Sequence, residues 1–469
     1  MFSMDDDLTQ VARALWSATA IENDPTKGPL HRLKTTGPRV VQPAAFDVTG
    51  VATGAVAVAT LAAAQLLSVR RESPVPAVTV DSLEASAAFA AEVLFSPVGW
   101  AQPPLWDPIA GNYRAADGWV RLHTNYAHHR AAAEKVLNAH DREAVREAVS
   151  ALPAEEIEGA IVTAGGAAAA MHGRNEWLSS PPGAATADAP TLTARERQLQ
   201  HRVGWAEKPG QLPFSGVRVL DLTRVIAGPV CTKFLAGYGA DVLRVDPPGF
   251  PEVPSLLPET TLGKRTATLD LTSPDDRVGF EELLRGADVL VLGLRADAIG
   301  RLGYDDQTIL AENPDLIIAS LDAYGWAGQW RERRGFDSLV QMSCGIAADG
   351  ATVAGRDEPT PLPYQALDHA TGWLLAGAIA LALTREITET LTARVHASLI
   401  GTANLLYKLP PPEARALKLA RKDLKLEETM TVWGAAKRVP MPGDIEGIRP
   451  RWAHQAGPLG RHRATWDEL

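Results

Sequence analysis

The sequence predicts an α/β fold: a Rossmann-like parallel sheet core in the C-terminal half, with a smaller α+β domain placed before it. Three observations predict it. Short apolar runs alternate with helix-length segments after residue 215, the pattern of βαβ units. Residues 110–205 have a different, helix-rich character with one turn-entered strand. The chain has 469 residues, is 46% hydrophobic and 22% charged, which allows roughly three domains of about 150 residues and excludes disordered and fibrous classes.

The elements follow in order. Residues 5–20 form an amphipathic helix opening on Asp5–Asp7, acids that suit a helix N-terminus. Residues 21–45 are Pro/Gly/Thr-rich and irregular. Val51–Leu67 carries no charge but is built on Ala and Gly and is followed by Arg70, Arg71 and Glu72. It is therefore a buried helix, shorter than the ~20 strongly apolar residues of a membrane span. Ala77–Val80 is a strand, 83–95 helical, and Pro97–Pro108 a rigid Pro/Trp loop. Gly118–His123 is a strand entered from a turn, and 126–138, 141–152 and 154–163 are helices. The segment 179–198 is Ser/Pro/Ala/Thr-rich, and a linker runs through Lys208, Pro209, Gly210 and Pro213.

Strands then fall at Val217–Leu222, Asp241–Val245, Thr266–Leu271, Asp288–Leu292 and Leu316–Ser320, with a helix at 228–238. Another helix runs from Ser273 to Arg285, capped by Ser273 with Pro274 at its first position and acids in its first turn.

Charge and motifs narrow the chemistry. With 46 basic and 56 acidic residues the net charge is -10, which disfavours nucleic acid. Two cysteines make neither a disulfide framework nor a Cys-rich metal site, and the reducing cytosol is the expected compartment. The acidic N-terminus is not a secretory signal. Neither G-x-G-x-x-G nor G-x-x-x-x-G-K-[ST] stands at the first strand end, which weakens the nicotinamide and nucleoside-triphosphate readings. There is no H-E-x-x-H and no G-x-S-x-G, and no metal is expected. The adjacent His128 and His129 read as solvated histidines. The turn Thr223–Pro229 reads as a packing turn or as an anion-tolerant helix start. Asp368 precedes a long apolar helix, Gly372–Leu383. It reads as a helix cap accepting backbone N–H bonds, or as a desolvated carboxylate able to attack a carbonyl.

Residues 215–345 resemble the core of the family III CoA-transferases, which include carnitine, formyl and bile-acid CoA-transferases and the α-methylacyl-CoA racemases. The resemblance rests on ordered fragments: Gly216–Thr223, Ala227-Gly228-Pro229, Gly239–Pro247, Gly263-Lys264-Arg265, Leu269-Asp270-Leu271, Ala287–Leu290, Arg301–Tyr304, Asn313-Pro314 and Tyr324-Gly325. Asp368, Gly372, Ala378–Leu383 and Val395–Ser398 stand at the family spacing for the catalytic aspartate, its helix and the strand beyond. Ala456–His462 is similar to the family's C-terminal element. The resemblance implies that Asp368 is the acyl-accepting carboxylate and that acyl-CoA is the substrate. It further implies that CoA is held by Val225, Ile226, Ala227, Gly293, Leu294, Arg295, Arg301 and Leu302, with Lys264 and Arg265 as further phosphate candidates. The expected partners are an acyl-CoA, a carboxylic acid and a second copy in a homodimer, with no nucleic acid and no membrane.

The order of parts departs from the family. The expected domains are 1–94, an N-terminal helical segment in which Pro43–Asp47 and the helix after it echo 363–405; 95–206, the smaller domain; 207–214, a linker; 215–400, the CoA-binding and catalytic core; and 401–469, an extension returning to the core. Asp47 stands a few residues off the family spacing and is not assigned a reactive role. The family's glycine-rich loop has no clear counterpart, Gly165-Gly166 being a poor one. Phe336 replaces the histidine of the racemase branch, so racemase-type isomerisation ranks third, behind CoA transfer and behind a CoA-binding paralogue or scaffold without turnover.

Overall fold

A computed structural model describes residues 4–19, 28–201, 204–207, 210–295, 298–412, 419 and 424–466; Lys208 and Pro209 of the expected linker lie outside the described residues. Its centre is a seven-stranded sheet in the order Arg265–Thr268, Asp241–Asp246, Arg218–Leu222, Val289–Leu292, Ile317–Asp322, Leu391–Ser398, Leu192–Gln198. The first six strands are parallel and the last pairs antiparallel at the edge. Counted along the chain, the parallel strands have the order 3-2-1-4-5-6 of a doubly wound fold. The switch point lies between Arg218–Leu222 and Val289–Leu292, where such folds bind ligands beyond the carboxyl ends. The central strands are buried on both faces because they are continuous Val/Ile/Leu runs.

Within the Ser/Pro/Ala/Thr-rich 179–198, to which composition assigned no element, Leu192–Gln198 (LTARERQ) is an edge strand. Its charged, mostly exposed side chains suit an edge and hide the strand from composition. Pro181–Thr186, in the same stretch, is a short helix. Ser273 stands at the N-cap of Pro274–Gly286 but makes no cap hydrogen bond, and Asp276 instead accepts from the Asp270 N–H at 2.7 Å.

Before this sheet, Gly111–Arg114, Trp119–Leu122 and Ala168–Ala170 form a small antiparallel sheet covered by the helices Ala127–Leu137, Arg142–Ser150 and Ala154–Thr163. Gly165 and Gly166 terminate the last of these helices by donating to Val162 and Ile161 carbonyls, with Gly165 at φ +86°. At the other end of the chain, Trp466 donates to the Leu283 carbonyl and His462 Nδ1 accepts from Thr266 N, docking the tail on the core.

Two long helices pack against each other in the interior: Val48–Arg71 and Ala366–Thr388. Both are long and apolar enough to cross a membrane, yet 94% and 100% of their most apolar windows are buried inside the molecule. A helix apolar all round is a core helix when protein covers every face. Small residues bring the pair together: a Cβ on Gly377 would meet Val58 at 2.8 Å.

Candidate active site

The site grows from the first strand end. After Arg218–Leu222 the chain turns through Val225, which holds φ +65°. This left-handed conformation is strained for a β-branched residue. Surrounding bonds impose it. Val225 N donates to Glu252 Oε2 at 3.1 Å, and the buried Glu252 is itself held by Tyr126 Oη at 2.6 Å and Arg244 at 2.9 Å. The turn then enters the helix Ala227–Gly237, whose start meets the first turns of Ala366–Thr388. A Cβ on Gly372 would stand 2.3 Å from the Ala227 carbonyl oxygen.

Asp368 lies in the first turn of Ala366–Thr388 but does not cap it, correcting the cap reading. Asp337 does so from another element: its Oδ2 accepts from Leu367 N at 2.8 Å and Asp368 N at 3.0 Å, and Gln341 donates to its other oxygen. Asp368 is thus positioned through its backbone, with its carboxyl left to face a cavity. Burial raises its pKa well above the ordinary carboxylate value, and the nearby carboxyls of Asp337 and Glu92 raise it further. Glu92 is pushed up by burial but held below its usual range by His369, whose Nε2 lies 3.1 Å from Glu92 Oε2.

Three cavities line up here. One, of about 230 Å³, runs from Asp368 past Val225, Ile226, Ala227, Gly293, Leu294 and Arg295 at the switch point. A second, of about 220 Å³, shares Asp368, Val225, Ile226 and Phe336 and continues to Val93, Leu105, Trp106 and Leu256. A third, of about 390 Å³, shares Leu294, Arg295 and Arg331 with the first and ends at Trp326, His396 and Arg394. There the Trp326 and His396 rings stack at 4.1 Å with 19° between their planes. Asp368 is shared by the arginine-lined first cavity and the second, which Glu92, His123, Asn125 and Asp337 also line.

The structure therefore brings Asp368, Val225, Ile226, Ala227, Gly293, Leu294 and Arg295 together. Arg301 is exposed and stands with Leu302 on a short turn, and neither lines these cavities, although Ile299 and Gly300 line the third. Lys264 and Arg265 lie elsewhere, in internal ion pairs. Lys264 Nζ is 3.0 Å from Asp221 and 2.6 Å from Thr232, while Arg265 forks onto Asp241 at 3.0 and 2.7 Å. Lys264 is pushed down to about 8 by burial, against the pull of Asp221; a cation spent in this way is not offered to a phosphate. Asp47 is closed as well. It caps Val48–Arg71 through Gly50 N at 2.8 Å and receives both arms of Arg39 at 2.7 Å.

Sequence reasoning missed several lining residues. His129 is buried, not solvated, and lines the first cavity, while His128 is exposed as expected. His123 stacks on Phe336 at 3.7 Å, with 3° between the planes, and lines the second cavity. Their signal in the sequence was imidazole alone, which surface residues share. Away from these cavities, Glu155, His172 and Glu176 bring one ligand atom each within 4.8 Å of the others, but Glu176 already accepts from Gly173 N.

Residues 214–420 match the model of CoA-transferase family III. A probable fatty acyl-CoA transferase, Rv3272, of Mycobacterium tuberculosis is 33% identical over 184 residues, 36% of this chain and 46% of that protein. A formyl-CoA:oxalate CoA-transferase of Rhodopseudomonas palustris is 34% identical over 207 residues, 41% of this chain and 48% of the other. A crystal structure of Rv3272 shares 30% identity, with a TM-score of 0.37, over 42% of this chain and 58% of that one. The family match is confined to residues 214–420, less than half of the chain. The chain spans about half the length of these two curated relatives. Asp368 and the switch-point turn lie inside the matched segment, whereas His123, Tyr126 and His129 lie before it.

Proposed function

We propose that the protein moves CoA from an acyl-CoA to a carboxylic acid through Asp368. The observation that carries this reading is the buried Asp368 carboxyl, shared by an arginine-lined, aromatic-ended passage and a second pocket of mixed apolar and polar lining. A long ligand with a nucleotide end and a thioester end fits that sequence of surfaces. Trp326 and His396 offer a stacking face, and the arginines offer anion partners.

The ionised Asp368 attacks the thioester carbon. The C–S bond breaks, CoA thiolate leaves, and a mixed anhydride remains on Asp368. The thiolate attacks the aspartyl carbonyl, releasing the donor acid and leaving an aspartyl-CoA thioester. The incoming carboxylate attacks that thioester, the C–S bond breaks, CoA thiolate leaves again, and an anhydride re-forms on Asp368. Thiolate attack on the new acyl carbon yields the product acyl-CoA and frees Asp368. Dividing one slow exchange into several acyl transfers is what covalent catalysis contributes. The helix N-terminus that Asp337 caps favours the negative charge that develops at each step. The high resting pKa of Asp368 makes its ionised form a stronger nucleophile, present in larger amount as pH rises.

The test is exchange of isotope-labelled acid into acyl-CoA over a panel of donors and acids. Exchange by the parent with none by D368N supports the reading. CoA binding without exchange by the parent points to a binding paralogue, and deuterium uptake at the α-carbon points to an isomerase.

A further inference from the structure

Two polar side chains of the cavity beside Asp368 carry groups that the fold leaves unused. His129 is 3% exposed, and both its ring nitrogens are buried with no hydrogen-bond partner among the described residues. Asp322, at the carboxyl end of its strand, anchors Oδ1 on the Gly325 N–H at 2.8 Å, while Oδ2 is buried and unpartnered among the described residues. Buried polar atoms are nearly always paired, so each exception calls for an explanation. Three residues lining this cavity hold such an atom: Arg333 Nε belongs to a guanidinium already paired with Glu158 and the Ala168 carbonyl, and the other two share a simple explanation, that the ligand supplies the partners.

Packing fixes the imidazole. Its ring stands edge-on to Tyr126 and Phe336, with centroids at 5.6 and 5.7 Å and interplanar angles of 86° and 76°. Burial, then His128 and Arg334, push its pKa down to about 3. It is therefore neutral, with one nitrogen donating and the other accepting. Burial raises the Asp322 carboxyl to about 7 against the opposing Gly325 N–H, so near neutrality it too can donate or accept. A ligand that only accepts leaves the acceptor nitrogen of His129 unanswered, and an apolar ligand leaves both residues so.

We infer that His129 and Asp322 are the ligand-reading pair of this cavity, hydrogen-bonding an amide or hydroxyl group of the molecule that reaches Asp368. The inference rests on the acyl-CoA reading and deepens it. Two sources carry this chemistry: the amide-bearing arm of CoA, and a hydroxyl on the acid.

The experiment uses the full chain with H129F, H129Q and D322L. Calorimetry measures CoA and adenosine 3′,5′-bisphosphate, which lacks the arm; kinetics compares butyrate with 3-hydroxybutyrate as acceptors. If the arm is the source, H129F and D322L weaken CoA about tenfold or more, leave the bisphosphate unchanged, and H129Q recovers part of the loss. If the acid is the source, CoA binding holds and kcat/KM falls for the hydroxy acid alone. Unchanged bisphosphate binding also reports that the variants fold. Equal behaviour of parent and variants towards CoA and both acids overturns the inference and leaves the transferase reading standing. A parent that neither binds CoA nor exchanges it overturns both.

Discussion

Two acids open two long buried helices that pack together in the core, and only one of them lines a cavity beside the switch point. Asp47 sits at the N-cap of Val48–Arg71, accepts from its own helix, and is closed by the fork of Arg39. Asp368 sits inside the first turn of Ala366–Thr388, takes no part in capping, and is supplied with like charges in place of a cation. What separates them is who caps the helix. Where the acid does it, its lone pairs are used; where Asp337 does it from another element, the carboxyl of the helix acid is left to line a cavity.

The largest effect expected from breaking this contrast is at Asp368. D368N lowers exchange by about three orders of magnitude or more, measured as isotope transfer between acid and acyl-CoA. The same variant gains stability. A carboxyl whose folded pKa is raised contributes stability that is complete below its unfolded pKa and lost as pH rises through the folded value. At pH 8 the parent carries that cost and the amide does not, a difference of about 1–2 kcal/mol by denaturant titration.

Asp47 reverses the pattern. R39A leaves a buried carboxylate unpaired and costs about 3–5 kcal/mol of stability, while kcat of the folded fraction is unchanged. G372A comes next. Its Cβ must displace the Ala227 carbonyl and so shifts the Asp368 helix against the strained turn, costing about 1–3 kcal/mol with a fall in kcat/KM seen in the same assay. The smallest effect is D337N. It keeps an oxygen acceptor for Leu367 N and Asp368 N but removes a neighbouring charge, so the Asp368 pKa falls and the acid limb of the kcat/KM–pH profile moves to lower pH.

The sheet was legible because each central strand is a short apolar run closed by a turn and followed by a helix. The edge strand Leu192–Gln198 was not, since an exposed edge uses Arg, Glu and Gln that resemble loop residues. Asp368 stood out only through family spacing, because bottom-up reasoning could not separate cap from nucleophile when the capping acid lay 31 residues away. Lys264 and Arg265 were misleading because a basic pair near a turn looks alike whether it faces a phosphate or an internal carboxylate. His129 was invisible for the opposite reason: two adjacent histidines suggest solvent until tertiary packing puts one of them indoors.

The most direct measurement is the mass of the peptide holding Asp368 after brief mixing with an acyl-CoA that the parent turns over, followed by acid quench. The account predicts an added acyl or CoA mass on Asp368, cleaved by hydroxylamine and absent from D368N and from the Asp47 peptide. Full turnover with no adduct under any quench, or an adduct on another residue that survives in D368N, would contradict it.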